Sequence, residues 1–226
     1  MTTQPINMNF NAAVQNAVGQ NEGGIHNYGS NQTPEQSRKI NPKKILFLAA
    51  NPKTTPPLRL DEEVRGIEDG LQRAKHREQF DLKQRWAVRV DDLIRALLDE
   101  KPQIVHFSGH GAGNDGLVLE NETGQTQFVN AEALAGLFQL FANHIECVVL
   151  NACYSEVQAE AIAKHIPYVI GMNKAIGDRA AIKFAVGFYD ALGAGESIEF
   201  AYQIGCNTIR LAGITENLTP KLRKKS

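Results

Sequence analysis

The 226-residue chain has few cysteines, a single tryptophan and no excess of charge of either sign. Its three cysteines, Cys147, Cys153 and Cys206, are an odd number without a Cys-x-x-Cys pair, which argues against a disulfide framework and against a zinc site. A net charge of -1 provides no bulk attraction to nucleic acid or to acidic lipid. These absences favour free thiols in a reducing, cytoplasmic compartment, and they exclude nucleic acid as an expected partner.

Long apolar runs are absent too. No run of about 18 apolar residues occurs, so we expect no transmembrane helix and no membrane partner. The N-terminus also lacks the basic and apolar segments of a secretory signal peptide. Hydrophobic residues make up 42% of the chain, which is enough to build one core of ordinary size.

The two ends of the chain differ in composition from the middle. Residues 1–40 contain twelve Asn or Gln and four charged residues, so we predict a disordered tail there. Residues 41–215 are predicted to form the folded domain, and 216–226 a frayed basic tail. The N-terminal tail is the candidate for recruiting a sensor or effector protein. An alternative is a short docking piece built on Val14, Val18, Ile25 and Tyr28.

From residue 43 onward, strand and helix patterns alternate. Residues 45–50 (ILFLAA) and 147–152 (CVVLNA) are continuous apolar runs, as expected for strands buried on both faces. Such alternation predicts an α/β fold, a three-layer sandwich with a mostly parallel central sheet and helices on both faces. Strands are expected at 45–50, 80–86, 104–108, 117–119, 147–152 and 168–171, and helices at 60–71, 91–98, 131–141, 156–165, 179–192 and 197–211.

Two predicted strands end next to residues that can carry chemistry. His110 follows the strand VHFSG and Cys153 follows VVLNA. In parallel sheets the carboxyl ends of strands form the site. If the two strands are neighbours, a nucleophile meets its acid/base, and the backbone N–H groups of Gly111 and Cys153 can bind an oxyanion.

A Cys and a His at this spacing are by themselves weak evidence for a catalytic pair, because most free cysteines are core residues. A non-catalytic interaction module and an enzyme acting on small thioesters or amides therefore stay open. His106, in the middle of a strand, is interpreted as a core histidine rather than as a second catalytic group. A metal site made of His106, His110 and Cys153 lacks ligand spacing. The segment GHGAGNDG matches no phosphate-binding motif, so no cofactor and no metal are expected.

The blocks VHFSGHG and VVLNACYS resemble the His-Gly and Ala-Cys blocks of the CHAT domain. This branch of the caspase-like cysteine peptidases is related to caspases, metacaspases and separase. The resemblance covers residues 43–213 and includes ILFLAANP, RLDEEVRGIEDGL and IGDRAAIKFAVGFYDALGAGESIEFAY.

The resemblance implies a caspase-like fold and a cysteine endopeptidase that cleaves a protein partner. His110 matches the catalytic histidine and Cys153 the nucleophile, while Gly111 and the Cys153 amide match the oxyanion hole. Asn151 departs from the pattern, because metacaspases tend to carry Asp there to bind a basic substrate residue. Proteins of this type resemble effectors in bacterial defence or regulated cell death that are linked to sensors. We expect the sensor here to be a separate protein.

The substrate pocket has three candidate acids. Asp178, Asp115 and Glu156 could each accept an Arg or Lys side chain before the cut bond, although a helix cap, a turn residue and a first-turn acid are the simpler interpretations. Arg85 and Arg89 raise the opposite possibility of a basic pocket for acidic residues. Latency, oligomeric state and self-cleavage are left open.

Overall fold

Residues 41–225 are described by the computed structural model. The tail predicted over residues 1–40 lies outside the described residues. Strands are β1 (Lys43–Ala50), β2 (Phe80–Arg85), β3 (Ile104–Gly111), β4 (Leu117–Glu120), β5 (Thr126–Val129), β6 (Cys147–Asn151), β7 (Tyr168–Met172) and β8 (Pro220–Lys224). Helices are α1 (Leu60–Arg73), α2 (Val90–Glu100), α3 (Ala131–Leu140), α4 (Glu156–Ile162), α5 (Asp178–Gly193) and α6 (Ile198–Leu211).

The strands form one sheet in the order β2-β1-β3-β6-β7-β8. Its first five strands are parallel, and β8 pairs antiparallel to β7. The hairpin of β4 and β5 extends from the end of β3, where His110 pairs with Val118. Because β3 and β6 lie side by side at the centre, their carboxyl ends meet at one edge of the sheet.

Each face of the sheet carries its own core. On one face, Leu46 and Leu48 pack in a cluster with side chains of α2, α3 and α4. On the other face, Ile45 and Phe47 pack with side chains of α1, α5 and α6. Alternation along β1 therefore buries both of its faces, which explains its continuous apolar sequence. Two helical layers around a mostly parallel sheet make the three-layer α/β sandwich that the sequence predicted.

The C-terminal segment differs from the expected frayed tail over 216–226. Pro220–Lys224 forms the edge strand β8, with Val169 of β7 opposite Arg223. Arg223 donates hydrogen bonds to Glu156 and Glu160 of α4. Backbone pairing and these ion pairs offset the cost of ordering a basic segment, a contribution that its composition does not reveal. β5 was also missed, because its four residues are too few for a clear alternation and its two exposed residues, Gln127 and Phe128, are adjacent rather than alternating.

Helices α5 and α6 approach each other closely at two glycines. A Cβ atom on Gly187 would lie 2.3 Å from Oγ1 of Thr208, and one on Gly205 would lie 2.9 Å from the carbonyl oxygen of Phe184. This close contact fixes the position of α5, the helix that contributes Asp178 and Ala181 to the pocket described below. Within residues 41–225, no helix is long and apolar enough to cross a membrane.

Replacing Gly205 by alanine is expected to destabilise the protein by about 1–3 kcal/mol, because overpacking against Phe184 outweighs the better helix propensity of alanine. Gly136→Ala is the matched control, since a Cβ atom at this exposed site on α3 meets nothing within 4 Å. The free energy of unfolding of that variant should rise by up to about 1 kcal/mol. Urea unfolding measures both free energies, and equal stabilisation of the two variants would contradict the close packing.

Candidate active site

One pocket brings together the two residues that follow the central strands. Ser108 of β3 pairs with Asn151 of β6, so His110 and Cys153, each two residues further along, emerge at the same edge of the sheet. Both side chains line a single pocket. Its other walls come from the loop and first turn of α1 and from the start of α5, and they include Leu58, Arg59, Leu60, Glu63, Ile176, Asp178, Ala181 and Ile182.

The imidazole of His110 is held by a backbone carbonyl group. Its Nε2 lies 2.9 Å from the carbonyl oxygen of Pro56, in the loop between β1 and α1. A carbonyl oxygen accepts hydrogen bonds and cannot donate them, so Nε2 carries a proton in this contact. Nδ1 is then the ring nitrogen left for a reacting group. Sequence reasoning named no partner for His110, because a backbone atom leaves no residue signature.

Cys153 lies in the turn between β6 and α4. The next residue, Tyr154, has a φ of 55°, in the left-handed region, which marks a sharp change of direction after the strand. The Cys153 Sγ lies 3.4 Å from the amide nitrogen of Ile176 and 3.6 Å from its carbonyl oxygen. In this conformation the thiol therefore bonds to the segment before α5, while His110 bonds to the loop before α1.

Gly111 lies against the main chain of Cys153. A Cβ atom on Gly111 would be 2.1 Å from the carbonyl oxygen of Cys153 and 3.3 Å from the Cβ atom of Ala152. No side chain fits between the two segments, which explains why glycine is needed here. The structure thus puts the two segments of the predicted oxyanion hole side by side.

Below the pocket lies a buried polar cluster around Glu63. One oxygen of this carboxylate, Oε1, lies 2.9 Å from Nε2 of His106 and 2.6 Å from Nδ2 of Asn151, and the other, Oε2, accepts from Oγ of Ser108 at 2.5 Å. His106 also contacts the hydroxyl group of Tyr189 at 3.1 Å. His106 is fully buried and has partners on both nitrogens, as a core histidine does.

Glu63 was not identified from the sequence. It follows two other acids at the start of α1, where acidic residues are favoured by the helix dipole and need no further explanation. The signal that could have found it is its position next to the apolar stripe of Leu60, Val64 and Ile67. An acid at that position is buried, and a buried acid requires donors.

The structure brings one of the three predicted pocket acids to the pocket. Asp178 is the first residue of α5 and lines the pocket, with its Oδ2 3.8 Å from Nε of Arg59. Gly177, not Asp178, is the N-cap of that helix. Asp115 is exposed in a short 3-10 turn after β3, and the carboxylate of Glu156 is paired with Arg223. Asp115 and Glu156 do not line the pocket.

The two arginines considered for a basic pocket lie elsewhere. Arg85 is paired with Glu100 at 2.7 Å, and Arg89 with Asp92 at 3.0 Å. Both acidic partners belong to α2, and neither arginine lines the pocket that contains His110 and Cys153. A pocket built from these two residues for an acidic substrate side chain is therefore not supported.

The two other cysteines have different environments. Cys147 is fully buried at the start of β6, and this burial raises the pKa of its thiol. Burial also raises the pKa of the half-buried Cys206 thiol on α6. Both thiols are accordingly less available as thiolates at neutral pH. Between residues 41 and 225, no group of three or more His, Cys, Asp or Glu side chains is arranged to hold a metal ion.

Known proteins share this sequence pattern. The CHAT domain family model matches residues 27–203. A Roc-COR-CHAT protease from an unknown prokaryotic organism is 29% identical over 175 residues, which cover 74% of this chain and 16% of that protein. A probable protease from Gillisia limnaea is 26% identical over 171 residues, covering 74% of this chain and 30% of that protein. The chain thus spans less than a third of either relative.

Solved structures share the fold. A secreted C11 cysteine protease from Bacteroides thetaiotaomicron, in complex with an irreversible peptide inhibitor, superposes with a TM-score of 0.57 at 16% identity and covers 81% of this chain and 66% of that one. The Drosophila initiator caspase Dronc gives a TM-score of 0.53 at 12% identity, and the match covers 96% of this chain and 93% of that one. The fold is caspase-like, as the sequence predicted. Since the family model matches well over half of its residues, this protein belongs to the CHAT domain family.

Proposed function

We propose that this protein is a cysteine endopeptidase in which Cys153 is the nucleophile and His110 the acid/base. The observation that carries the proposal is that these two side chains, each at the end of a central strand, line one pocket. The protease names of both relatives support the same activity class.

In the proposed reaction, Sγ of Cys153 attacks the carbonyl carbon of the scissile peptide bond, and the thiol proton passes to Nδ1 of His110. The tetrahedral oxyanion is bound by the backbone N–H groups of Gly111 and Cys153. As the C–N bond breaks, Nδ1 returns the proton to the leaving amine. Water then hydrolyses the thioester and regenerates the thiol.

The Pro56 carbonyl supports this assignment of the two ring nitrogens. By fixing the proton on Nε2, it leaves Nδ1 as the nitrogen that exchanges protons with sulfur and amine. Cys153 and His110 each bond to a loop backbone here, and substrate binding brings them into reacting distance. The same resting contacts favour the second candidate function, a catalytically silent interaction module.

Asp178 is the proposed acid for a basic substrate residue. It lines the pocket together with Cys153, and its 3.8 Å contact with Arg59 is long enough to be exchanged for a substrate cation.

The proposed biological role is that of an effector in bacterial defence or regulated cell death. Its activity would be controlled by a sensor protein recruited through residues 1–40. Unchanged partner binding and activation after removal of that segment would contradict the recruitment.

The Cys153→Ala variant is expected to abolish cleavage of a peptide library varied at the residue before the cut bond, and His110→Ala to lower kcat by about 10²–10⁴-fold. Cys206→Ser is the matched control and should keep full activity, because that thiol lies on α6, outside the pocket. Cleavage by Cys153→Ala at the wild-type rate would refute the mechanism. Absence of cleavage by the wild type, together with an unreactive Cys153, would favour the silent module.

Iodoacetamide is expected to modify Cys153 before the two other cysteines in the folded protein. Burial raises the pKa of the Cys147 and Cys206 thiols and so disfavours their thiolates, whereas Cys153 lines the pocket beside the proposed acid/base. Peptide mapping by mass spectrometry after short exposures gives the order of modification. Faster modification of Cys206 than of Cys153 would contradict a nucleophile at position 153.

A further inference from the structure

A second groove lies next to the catalytic pocket, at the carboxyl ends of β1 and β2. It has a volume of about 350 Å³ and is lined by Ala49, Asn51, Leu58, Leu60, Asp61, Trp86, Ala87 and Glu120. Leu58 and Leu60 also line the catalytic pocket, so they form a wall that the two cavities share. A peptide whose cut bond lies at Cys153 can therefore reach this groove.

The strand order gives a direction to such a peptide. Cys153 follows β6, His110 follows the neighbouring β3, and the groove lies beyond His110, at the ends of β1 and β2. In the proposed reaction His110 gives its proton to the leaving amine, so the residues after the cut bond extend from Cys153 past His110. Asp178 follows β7, on the opposite side of β6. The groove is thus on the side of the residues that leave.

The spacing of the strands gives the position along the substrate. Neighbouring strands lie about 4.8 Å apart, so the ends of β1 and β2 are roughly 10–15 Å from the end of β6. An extended chain covers about 3.3 Å per residue. The third or fourth residue after the cut bond is accordingly the one that lies at the groove.

An indole ring forms part of the groove. Trp86 is 48% exposed, its Nε1 donates to Oε1 of Gln84 at 3.2 Å, and its ring centroid lies 6.2 Å from that of Phe47. The polar atom of the indole is therefore already paired. Its exposed part offers aromatic surface, on which an aliphatic chain can pack and to which a cation is attracted.

The groove also contains a carboxylate without a cation. Glu120, the last residue of β4, is 9% exposed, and its Oε1 accepts from the backbone N–H of Asn51 at 3.2 Å. Its Oε2 has no hydrogen-bond or ion-pair partner within residues 41–225, and it is not one of the unpaired atoms that are sealed from solvent. Arg89, which forms a backbone bridge with Glu120, is paired with Asp92 at 3.0 Å. A largely buried carboxylate without a counter-charge is costly, so this one indicates a place for a cationic ligand.

The charges of the groove have one sign. Its described lining contains the acids Glu120 and Asp61 and no cationic side chain, and Asp61 is exposed, with Oδ2 3.8 Å from Arg65. An acidic substrate side chain would meet like charge here, and an apolar one would leave Glu120 unpaired. A side chain with an aliphatic stem and a cationic end satisfies both parts of the groove, with its stem on Leu58 and Trp86 and its cation on Glu120.

We propose that this groove binds a Lys or Arg side chain at the third or fourth residue after the cut bond, and that Glu120 is the residue that selects it. This inference rests on the proposed peptidase activity. It adds a requirement on the leaving part of the substrate that is separate from the residue before the cut bond.

The test uses internally quenched peptides that share one sequence up to the cut bond, the sequence that the peptide library selects. At the third or at the fourth residue after the bond they carry Lys, Arg, norleucine or Glu, and they are otherwise identical. Norleucine keeps the aliphatic stem of lysine and lacks its ammonium group. The measured quantity is kcat/KM of the full-length protein for each peptide.

The Lys and Arg peptides are expected to be cleaved with a kcat/KM at least about tenfold higher than the norleucine peptide at one of the two positions. This is the ratio that a charge-assisted hydrogen bond to a largely buried group provides. The Glu peptide should be cleaved least efficiently, because both acids of the groove repel it. Equal values for the Lys and norleucine peptides at both positions would overturn the inference.

The Glu120→Gln variant removes the charge and keeps an acceptor for the backbone N–H of Asn51. We expect its Lys-to-norleucine ratio to fall towards one. Glu122→Gln is the matched control, because this exposed carboxylate lies in the turn after β4 but outside the groove, and it should keep the wild-type ratio. A wild-type ratio in Glu120→Gln would refute the assignment to Glu120.

A second variant tests the groove if Glu120→Gln does not fold, as judged by urea unfolding. Trp86→Leu removes the aromatic surface at a half-exposed site, and we expect it to lower the Lys-to-norleucine and Arg-to-norleucine ratios. Unchanged ratios in Trp86→Leu would contradict binding of the cation in this groove.

Two failures are distinguishable. Cleavage of all peptides with similar kcat/KM would overturn the role of the groove and leave the peptidase intact. Failure of the wild-type protein to cleave any of them would overturn the peptidase proposal and this inference with it.

Discussion

The carboxylate of Glu63 ties together the three elements on which the pocket depends. It is anchored on α1, accepts from Ser108 of β3 and accepts from Asn151 of β6. Each of these two strand residues lies two positions before a proposed catalytic residue, His110 or Cys153. A shift of α1 or of either strand would break bonds to a carboxylate that is 2% exposed, and an unpaired buried carboxylate is costly. The register of the two strand ends is therefore coupled to the position of α1.

Backbone atoms of two loops orient the side chains of His110 and Cys153. The Pro56 carbonyl orients His110, and the amide and carbonyl groups of Ile176 hold the thiol of Cys153. Both loops begin at the carboxyl ends of strands, next to the helices that complete the pocket, α1 and α5. Strand ends thus supply the two proposed catalytic side chains, and the loops set the orientation of these side chains in the pocket.

The sequence predicts the centre of the fold better than its margins. Continuous apolar runs such as residues 45–50 reveal buried parallel strands. The rule that sites form at strand ends selects His110 and Cys153 as candidates, and the structure places both in one pocket. Strand β8 was not predicted, because this basic segment is ordered by its partners, Glu156 and the edge of β7. The hydrogen bond of His110 to the Pro56 carbonyl was not predicted, because any residue can supply a backbone carbonyl. Pattern alone also placed Asp115 and Glu156 near the site, since sequence proximity to His110 and Cys153 does not fix the direction of a side chain.

The identity of residue 151 and the presence of Glu63 depend on each other. An aspartate at position 151 would bring a second carboxylate to within about hydrogen-bonding distance of Glu63 Oε1, now 2.6 Å from Asn151 Nδ2. Two carboxylates this close cannot both ionise, so one would hold a proton at neutral pH. With asparagine, a donor replaces the repulsion, and Glu63 keeps its bonds to Ser108 and His106. The buried acid behind position 151 therefore favours asparagine over aspartate there.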